Sequence, residues 1–379
     1  LCGVPGNHAD YPLDQPTYYQ ALREAGYRVA GVGKFDLHKD TSDVAKLDWH
    51  LDGSRCLDAW GFTDGIDNEG KIDGSMSYRA HGRPRGPYLN FLESRGLAET
   101  YVREHQRIAE RRGAYVTALP DDAYCDNWLS GNGLRILRDL PRDQPWHLVV
   151  NFTGPHNPMD VTASMAEAWR GVEFPLPHGE LDEVRSHEDH QRIRRHYAAM
   201  IENIDRQIGR FIEAVAERGE LDTTYIIFAS DHGEMLGDHG RWGKGVHCEP
   251  SVRVPLVVAG PGVRAGERSD ALVSLHDLAA TFIEAADARP LPEMDARSLL
   301  PLWRGATDRH RDYVITALHD WRAAIDERFK LVLGVDGAPL LFDLREDPWE
   351  DRNIASDQPQ AVERLTNLLD TQTPNHAGP

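Results

Sequence analysis

Between two short apolar runs, Trp146 to Phe152 and Tyr225 to Ala229, Tyr197, Ile201, Ile204, Ile208, Phe211, Ile212 and Val215 recur at helical spacing until Gly219 stops them. Strand-length runs alternating with amphipathic helices are the pattern of a mostly parallel sheet covered by helices. The same alternation appears elsewhere. Tyr18 to Ala25 reads as a helix closed by Gly26, with Tyr27 to Val32 following as a strand. Pro255 to Ala259 reads as a short buried strand ended by Gly260-Pro261-Gly262, with a helix around Asp277 to Ala286 after it. The fold class expected is therefore α/β.

Past about residue 300 the texture changes. Tyr313 to Ala317, Ala323 to Ile325, Lys330 to Leu333 and Leu340 to Leu344 are short runs broken by turn residues, and a helical stretch follows from Ala361 to Leu369. That reads as a small antiparallel sheet plus a helix. The expected organisation is a main α/β domain over 1–300 and a small C-terminal subdomain over 301–379. Residues 52–120, rich in Gly, Arg and charge without strong periodicity, form a long insertion with some helix.

Composition narrows the function classes. The 379 residues carry 42 basic and 61 acidic side chains, a formal charge of −19, and no basic stripe, which argues against binding a nucleic acid. No run of about 18 apolar residues is present to span a membrane as a helix. Cys2, Cys56, Cys125 and Cys248 are far apart and form no CxxC pair, so they read as plain thiols. The chain starts with Leu, so its compartment, periplasmic, secreted or cytoplasmic, stays open.

The strongest chemical signal is Ser230-Asp231-His232-Gly233-Glu234, directly after the apolar run Tyr225 to Ala229. In an open α/β sheet the carboxyl ends of strands face the ligand crevice. A carboxylate beside an imidazole, with a glycine that lets the backbone turn, suits a divalent cation with mixed oxygen and nitrogen ligands. The alternative is a helix N-cap aspartate beside a surface histidine.

The run from Ser230 through Asp231-His232-Gly233-Glu234-Met235-Leu236-Gly237-Asp238-His239-Gly240-Arg241-Trp242-Gly243-Lys244-Gly245 resembles the metal and substrate segment of the type I, formylglycine-dependent sulfatases of the alkaline phosphatase superfamily. Glu249-Pro250-Ser251-Val252-Arg253-Val254-Pro255 follows as in that family. Ala25-Gly26-Tyr27-Arg28 with Gly31-Val32-Gly33-Lys34, and Gly154-Pro155-His156-Asn157-Pro158 after a strand, resemble two further segments. Arg328-Phe329-Lys330-Leu331, Phe342-Asp343-Leu344, Asp347-Pro348 and Arg352-Asn353 resemble the C-terminal pattern.

The resemblance implies that Asp231 and His232 are ligands of a divalent cation, Ca2+ before Mg2+ or Mn2+. It implies that Lys244 contacts the sulfate and the leaving-group oxygen with His156 across from it, and that Lys34 contacts both the sulfate and the nucleophile. Fixed cations aimed at sulfate oxygens stabilise charge that grows in the transition state, and a positioned imidazole or ammonium can protonate the departing alkoxide. His239 is expected to support its loop.

Two departures stand out. Relatives carry Gly-Lys-Trp-His, whereas this chain has Lys34-Phe35-Asp36-Leu37-His38. Asp36 takes the histidine position, and in an extended segment His38 points the same way one step further on. The CxPxR-like motif whose Cys or Ser becomes formylglycine is absent from these residues. The match opens just after it, so the motif and the first strand are expected upstream of Leu1.

The expected reaction is hydrolysis of a sulfate monoester, on a small aryl or alkyl sulfate or a sulfated mono- or oligosaccharide. Two alternatives remain: a phosphate or phosphonate ester hydrolase of the same superfamily, and an inactive binding protein. Tyr78, Arg79, His81, Arg83 and Arg85 are candidate contacts to a sugar or a second anion, or a solvated surface. The net charge disfavours a densely sulfated polymer.

Overall fold

A computed structural model of the chain describes residues 10–37, 39, 43–108, 113–181, 184–292, 294–335 and 337–372. It divides into two compact units. The first holds the described residues of Leu1–Leu176, Glu183–Thr224 and Phe282–Asp295, the second those of Pro177–Asp182, Tyr225–Thr281 and Ala296–Pro379.

The first unit is built on strand β1 (Arg28–Gly33), paired in parallel with β2 (Asp64–Asp67) on one side and with a later strand, Trp146–Asn151, on the other. Its residues alternate between two covered faces. Ala30 and Val32 pack with Leu129, Leu134, Leu137, Ala214 and Val215, and Val29 packs with Leu22, Phe35, Leu57, Trp60 and Phe62. A parallel sheet needs such cover on both sides. Gly31 is required because a Cβ there would meet the Phe62 and Phe35 rings at 2.5 and 2.6 Å.

Helix α1 (Tyr18–Glu24) leads into β1 and starts with a capping box between Thr17 and Gln20. Helices α2 (Ile72–His81), α3 (Pro87–Ser94) and α4 (Ala98–Gln106) follow β2. Next come β3 (Ala114–Val116), α5 (Cys125–Asp139), β4 (the Trp146–Asn151 strand) and β5 (Met159–Val161), with β3 and β5 forming a short parallel pair. The longest helix, α6 (His187–Glu217), packs against α5, where Gly133 leaves room for Phe211 and Val32. It begins ten residues before its apolar period becomes visible, at a Ser186–Asp189 capping box.

The second unit holds an antiparallel pair, β6 (Ile226–Ala229) and β7 (Leu256–Ala259), one side of which packs on Leu299, Leu300, Leu302 and Trp303. Helix α7 (Asp277–Ala285) comes next in the chain. Strands β8 (Tyr313–Leu318), β9 (Trp321–Asp326), β10 (Phe329–Leu333) and β11 (Leu340–Asp343) form the antiparallel sheet expected past residue 300, in the order β11-β10-β9-β8. Helix α8 (Pro359–Gln372) covers it, with Ala361, Leu365 and Leu369 against Ala324, Leu331 and Leu341. Among the described residues no helix is long and apolar enough to cross a membrane.

Two features differ from the sequence reading. The stretch 52–120 is rich in helix, but it also contributes β2 to the parallel sheet. With a single large apolar residue, Ile66, that strand has no hydrophobic signature to read. The run at β6 is a strand as expected, yet its described partner β7 runs antiparallel to it. Both are short apolar runs, whose direction periodicity cannot distinguish.

Candidate active site

At the carboxyl end of β1, Gly33 adopts φ +128, and a Cβ there would lie 2.0 Å from the Asn151 carbonyl oxygen. Only glycine lets β1 run this close to β4, and Lys34 follows immediately. The aliphatic stem of Lys34 lies against Gly70, in the loop after β2, and its Nζ is 2.9 Å from an Asp36 carboxylate oxygen. Asp36 sits at φ +55, and its other oxygen lies 2.7 Å from Lys39 Nζ, which also pairs with Asp73 at 2.6 Å. Burial alone would raise the Asp36 carboxyl, but Lys34 and Lys39 outweigh it and hold the group below its ordinary range.

Asp67, at the end of β2, accepts a 3.4 Å hydrogen bond from the Phe35 amide, and burial pushes its carboxyl up to about 8. Glu69, buried beside it, is likewise pushed up to about 7.

His156 lies in the loop after β4. Buried Asp126 on α5 fixes the entry to that loop, accepting hydrogen bonds from the Thr153 amide at 2.7 Å, the Thr153 hydroxyl at 2.8 Å and the Gly154 amide at 3.2 Å. From behind, buried Lys71 pairs with Asp160 at 2.7 Å and donates to the Pro158 carbonyl at 3.3 Å. The Gly154–Pro155 and Asn157–Pro158 bonds are cis. His156 Nδ1 lies 2.7 Å from the Asn157 carbonyl oxygen and donates to it, which orients the ring.

In the second unit, Asp231, His232 and Lys244 share one loop after β6. Gly233 is forced there, since a Cβ would lie 1.9 Å from the Pro250 carbonyl oxygen. His232 Nδ1 is 2.9 Å from the Gly233 carbonyl, and Nε2 is 3.4 Å from Asp231, whose side chain is 85% exposed. Glu234 closes the loop by accepting from the Gly243 amide at 2.6 Å and the Leu236 amide at 3.2 Å. Lys244 is exposed between Gly243 at φ +75 and Gly245 at φ +91. His239 supports the loop, with Nε2 2.9 Å from the Trp349 carbonyl oxygen.

Lys34 and His156 thus share the carboxyl edge of the first unit's parallel sheet, and Asp231, His232 and Lys244 share one loop of the second. His38 lies outside the described residues. Of the candidate substrate contacts in 78–85, Tyr78 donates to Glu93, both His81 ring nitrogens lie against carbonyls of Ser77 and Ala45, and Arg85 pairs with Asp48. Those three residues are engaged in local structure.

Sequence reasoning missed Asp36 as a partner of Lys34 and Glu234 as the residue that closes its loop, and missed Lys39, Lys71 and Asp126 altogether. Asp36 stood in plain view at the family's histidine position. The others act on partners that only the fold identifies.

Asp231 and His232 have the chemistry of cation ligands, an exposed carboxylate and an imidazole whose Nδ1 is tied to a carbonyl. Among the described residues no group of three or more His, Cys, Asp or Glu side chains is placed to hold a metal. A hard divalent cation takes six or more oxygen-type ligands. Asp231 and His232 alone would not complete the ligand set of such a cation.

A helix-covered parallel sheet and a separate small antiparallel sheet are the architecture of the alkaline phosphatase-like superfamily. Within it the chain belongs to the sulfatase family of sulfuric ester hydrolases. The family profile matches residues 3–288, and the profile described as N-sulphoglucosamine sulphohydrolase, C-terminal, matches residues 237–374.

Similar proteins include the choline-sulfatase of Rhizobium meliloti (strain 1021), 28% identical over 96% of this chain and 72% of that protein. The arylsulfatase of Clostridium perfringens (strain 13 / Type A) is 28% identical over 64% of this chain and 56% of that protein, so this chain spans little more than half its length. Among solved structures, the phosphonate monoester hydrolase of Agrobacterium radiobacter superposes with a TM-score of 0.76 at 25% identity, over 98% of this chain and 82% of that one.

Proposed function

We propose that the protein hydrolyses the sulfate monoester of a small alcohol, phenol or saccharide. The observation that carries this reading is the placement of Lys34: a glycine no other residue could replace sets a lysine at the carboxyl edge of a parallel sheet, in a chain of the sulfatase family. Lys34 and Lys244 bind the sulfuryl oxygens and balance the charge that builds on them as the S–O bond breaks. His156, protonated at Nε2, gives its proton to the departing oxygen, and the Asn157 carbonyl keeps the ring oriented for it. Asp231 and His232 are two ligands of a divalent cation of the calcium type, which supplies further charge neutralisation when bound. The formylglycine that the family uses would supply the nucleophilic hydroxyl. The family's imidazole after the lysine would fall to His38, which lies outside the described residues.

Relatives described as choline-sulfatase and arylsulfatase support small sulfate esters as substrates, and the −19 charge weighs against polyanionic chains. The test is steady-state hydrolysis of 4-nitrophenyl sulfate by the full-length protein and its Lys34→Ala, His156→Ala and Lys244→Ala variants. Each should lose about 10²–10³-fold in kcat/KM. Wild-type turnover in all three variants would end the reading.

A further inference from the structure

We infer that Lys39 is a positioning residue, which by pairing with Asp36 keeps that carboxylate from turning wholly onto Lys34 and so leaves the Lys34 ammonium oriented toward an anionic ester. The inference rests on the reading that Lys34 binds the sulfuryl group, and it adds to that reading a residue outside the family motifs.

Lys39 is the more deeply buried of the two lysines, with only 4% of its side chain exposed. A buried ammonium is costly unless paired, and here it lies 2.7 Å from Asp36 and 2.6 Å from Asp73. Burial pulls its pKa down, but the two carboxylates outweigh burial and raise it above the ordinary lysine value, so it is charged at every working pH. Asp73 is in the first turn of α2, which anchors the far end of the row to a helix.

The near end is set by the left-handed conformation of Asp36, whose two oxygens are divided, one to Lys34 and one to Lys39. Four charges alternate along this row, Lys34, Asp36, Lys39 and Asp73, and they sum to zero. Removing Lys39 leaves the row at −1. Asp36 would then turn wholly onto Lys34 and neutralise it, and an approaching anion would meet net repulsion.

Asp36 is also faced by Asp67 from the end of β2, a like charge when ionised. With Lys39 gone, one of the two lysines that hold the Asp36 carboxyl down against burial is lost.

The test uses the full-length protein with 4-nitrophenyl sulfate, comparing Lys39→Met, Lys34→Met, the double variant and Lys39→Arg, with thermal unfolding measured alongside. Lys39→Met should lower kcat/KM by about 10–100-fold, mainly through KM, with the deficit shrinking toward acid pH as the Asp36 carboxyl, no longer held down by Lys39, takes up a proton. Lys39→Arg, which keeps the charge, should recover activity to within about threefold of wild type. In the Lys34→Met background the Lys39 change should cost less than about twofold, because its effect travels through Lys34.

Should Lys39→Met not fold, Asp73→Asn, which keeps Lys39 and frees it to pair more fully with Asp36, should shift KM and the pH dependence in the opposite direction and at smaller size. Effects of Lys39→Met or Asp73→Asn that simply add to Lys34→Met, or an unmoved pH profile, overturn the inference and leave the role of Lys34 intact. Wild-type kcat/KM in Lys34→Met alone would instead overturn the reading on which the inference stands.

Discussion

Charge placement at the end of β2 has a consequence that a titration can read. Burial raises the Asp67 carboxyl from 3.8 to about 8, so between those values the folded chain keeps a proton that the unfolded chain has released. Stability must therefore fall as pH rises from about 4 to about 8, with Glu69 adding in the same direction up to about 7. Asp67→Asn should flatten the part of that slope due to Asp67 in urea midpoints measured across the range; an unchanged slope would show that Asp67 ionises normally. Little of this was legible beforehand. Gly33 and Lys34 are neighbours in a recognisable segment, so their placement could be expected from sequence. The Asp36 contacts depend on its left-handed backbone, and the Asp126 bonds to Thr153 and Gly154 span 27 and 28 residues. No local pattern encodes either.

At the scale of elements, the period of apolar residues located β1, β4, β6, β7, α6, α7 and the C-terminal sheet with α8 to within a few residues, α6 excepted at its start. Burial of one stripe or one face is what produces that period, so elements without it escape notice. β2 is the example: Asp64-Gly65-Ile66-Asp67 forms a strand because β1 offers it a parallel partner. The loop after β6 is another. Its motif was readable, but its shape rests on Glu234 reaching nine residues forward to the Gly243 amide. Glu234→Ala should cost about 1–2 kcal/mol of stability and about tenfold or more in kcat/KM, since it releases the segment that carries Lys244. Equal activity in wild type and Glu234→Ala, measured with thermal unfolding alongside, would mean that Lys244 is placed by other contacts.

For the whole molecule, the family assignment rests on motifs read in order along the chain and on a profile match from residue 3 to 288. The superfamily uses one kind of fold for sulfur and phosphorus centres, so the reacting atom is set by the side chains of the site. Lys34 and Lys244 suit a monoanionic ester, which a sulfate monoester and a phosphonate monoester both are, so the sulfate reading rests on the family match, and the solved phosphonate monoester hydrolase is similar over nearly the whole chain. The most direct measurement is the ratio of kcat/KM for 4-nitrophenyl sulfate to that for 4-nitrophenyl phenylphosphonate, taken on the full-length protein under identical conditions. A ratio above about 10, a difference of roughly 1.4 kcal/mol in transition-state binding, is the result predicted here. A ratio below one would contradict the central claim and make the protein a phosphonate ester hydrolase on a sulfatase-family fold.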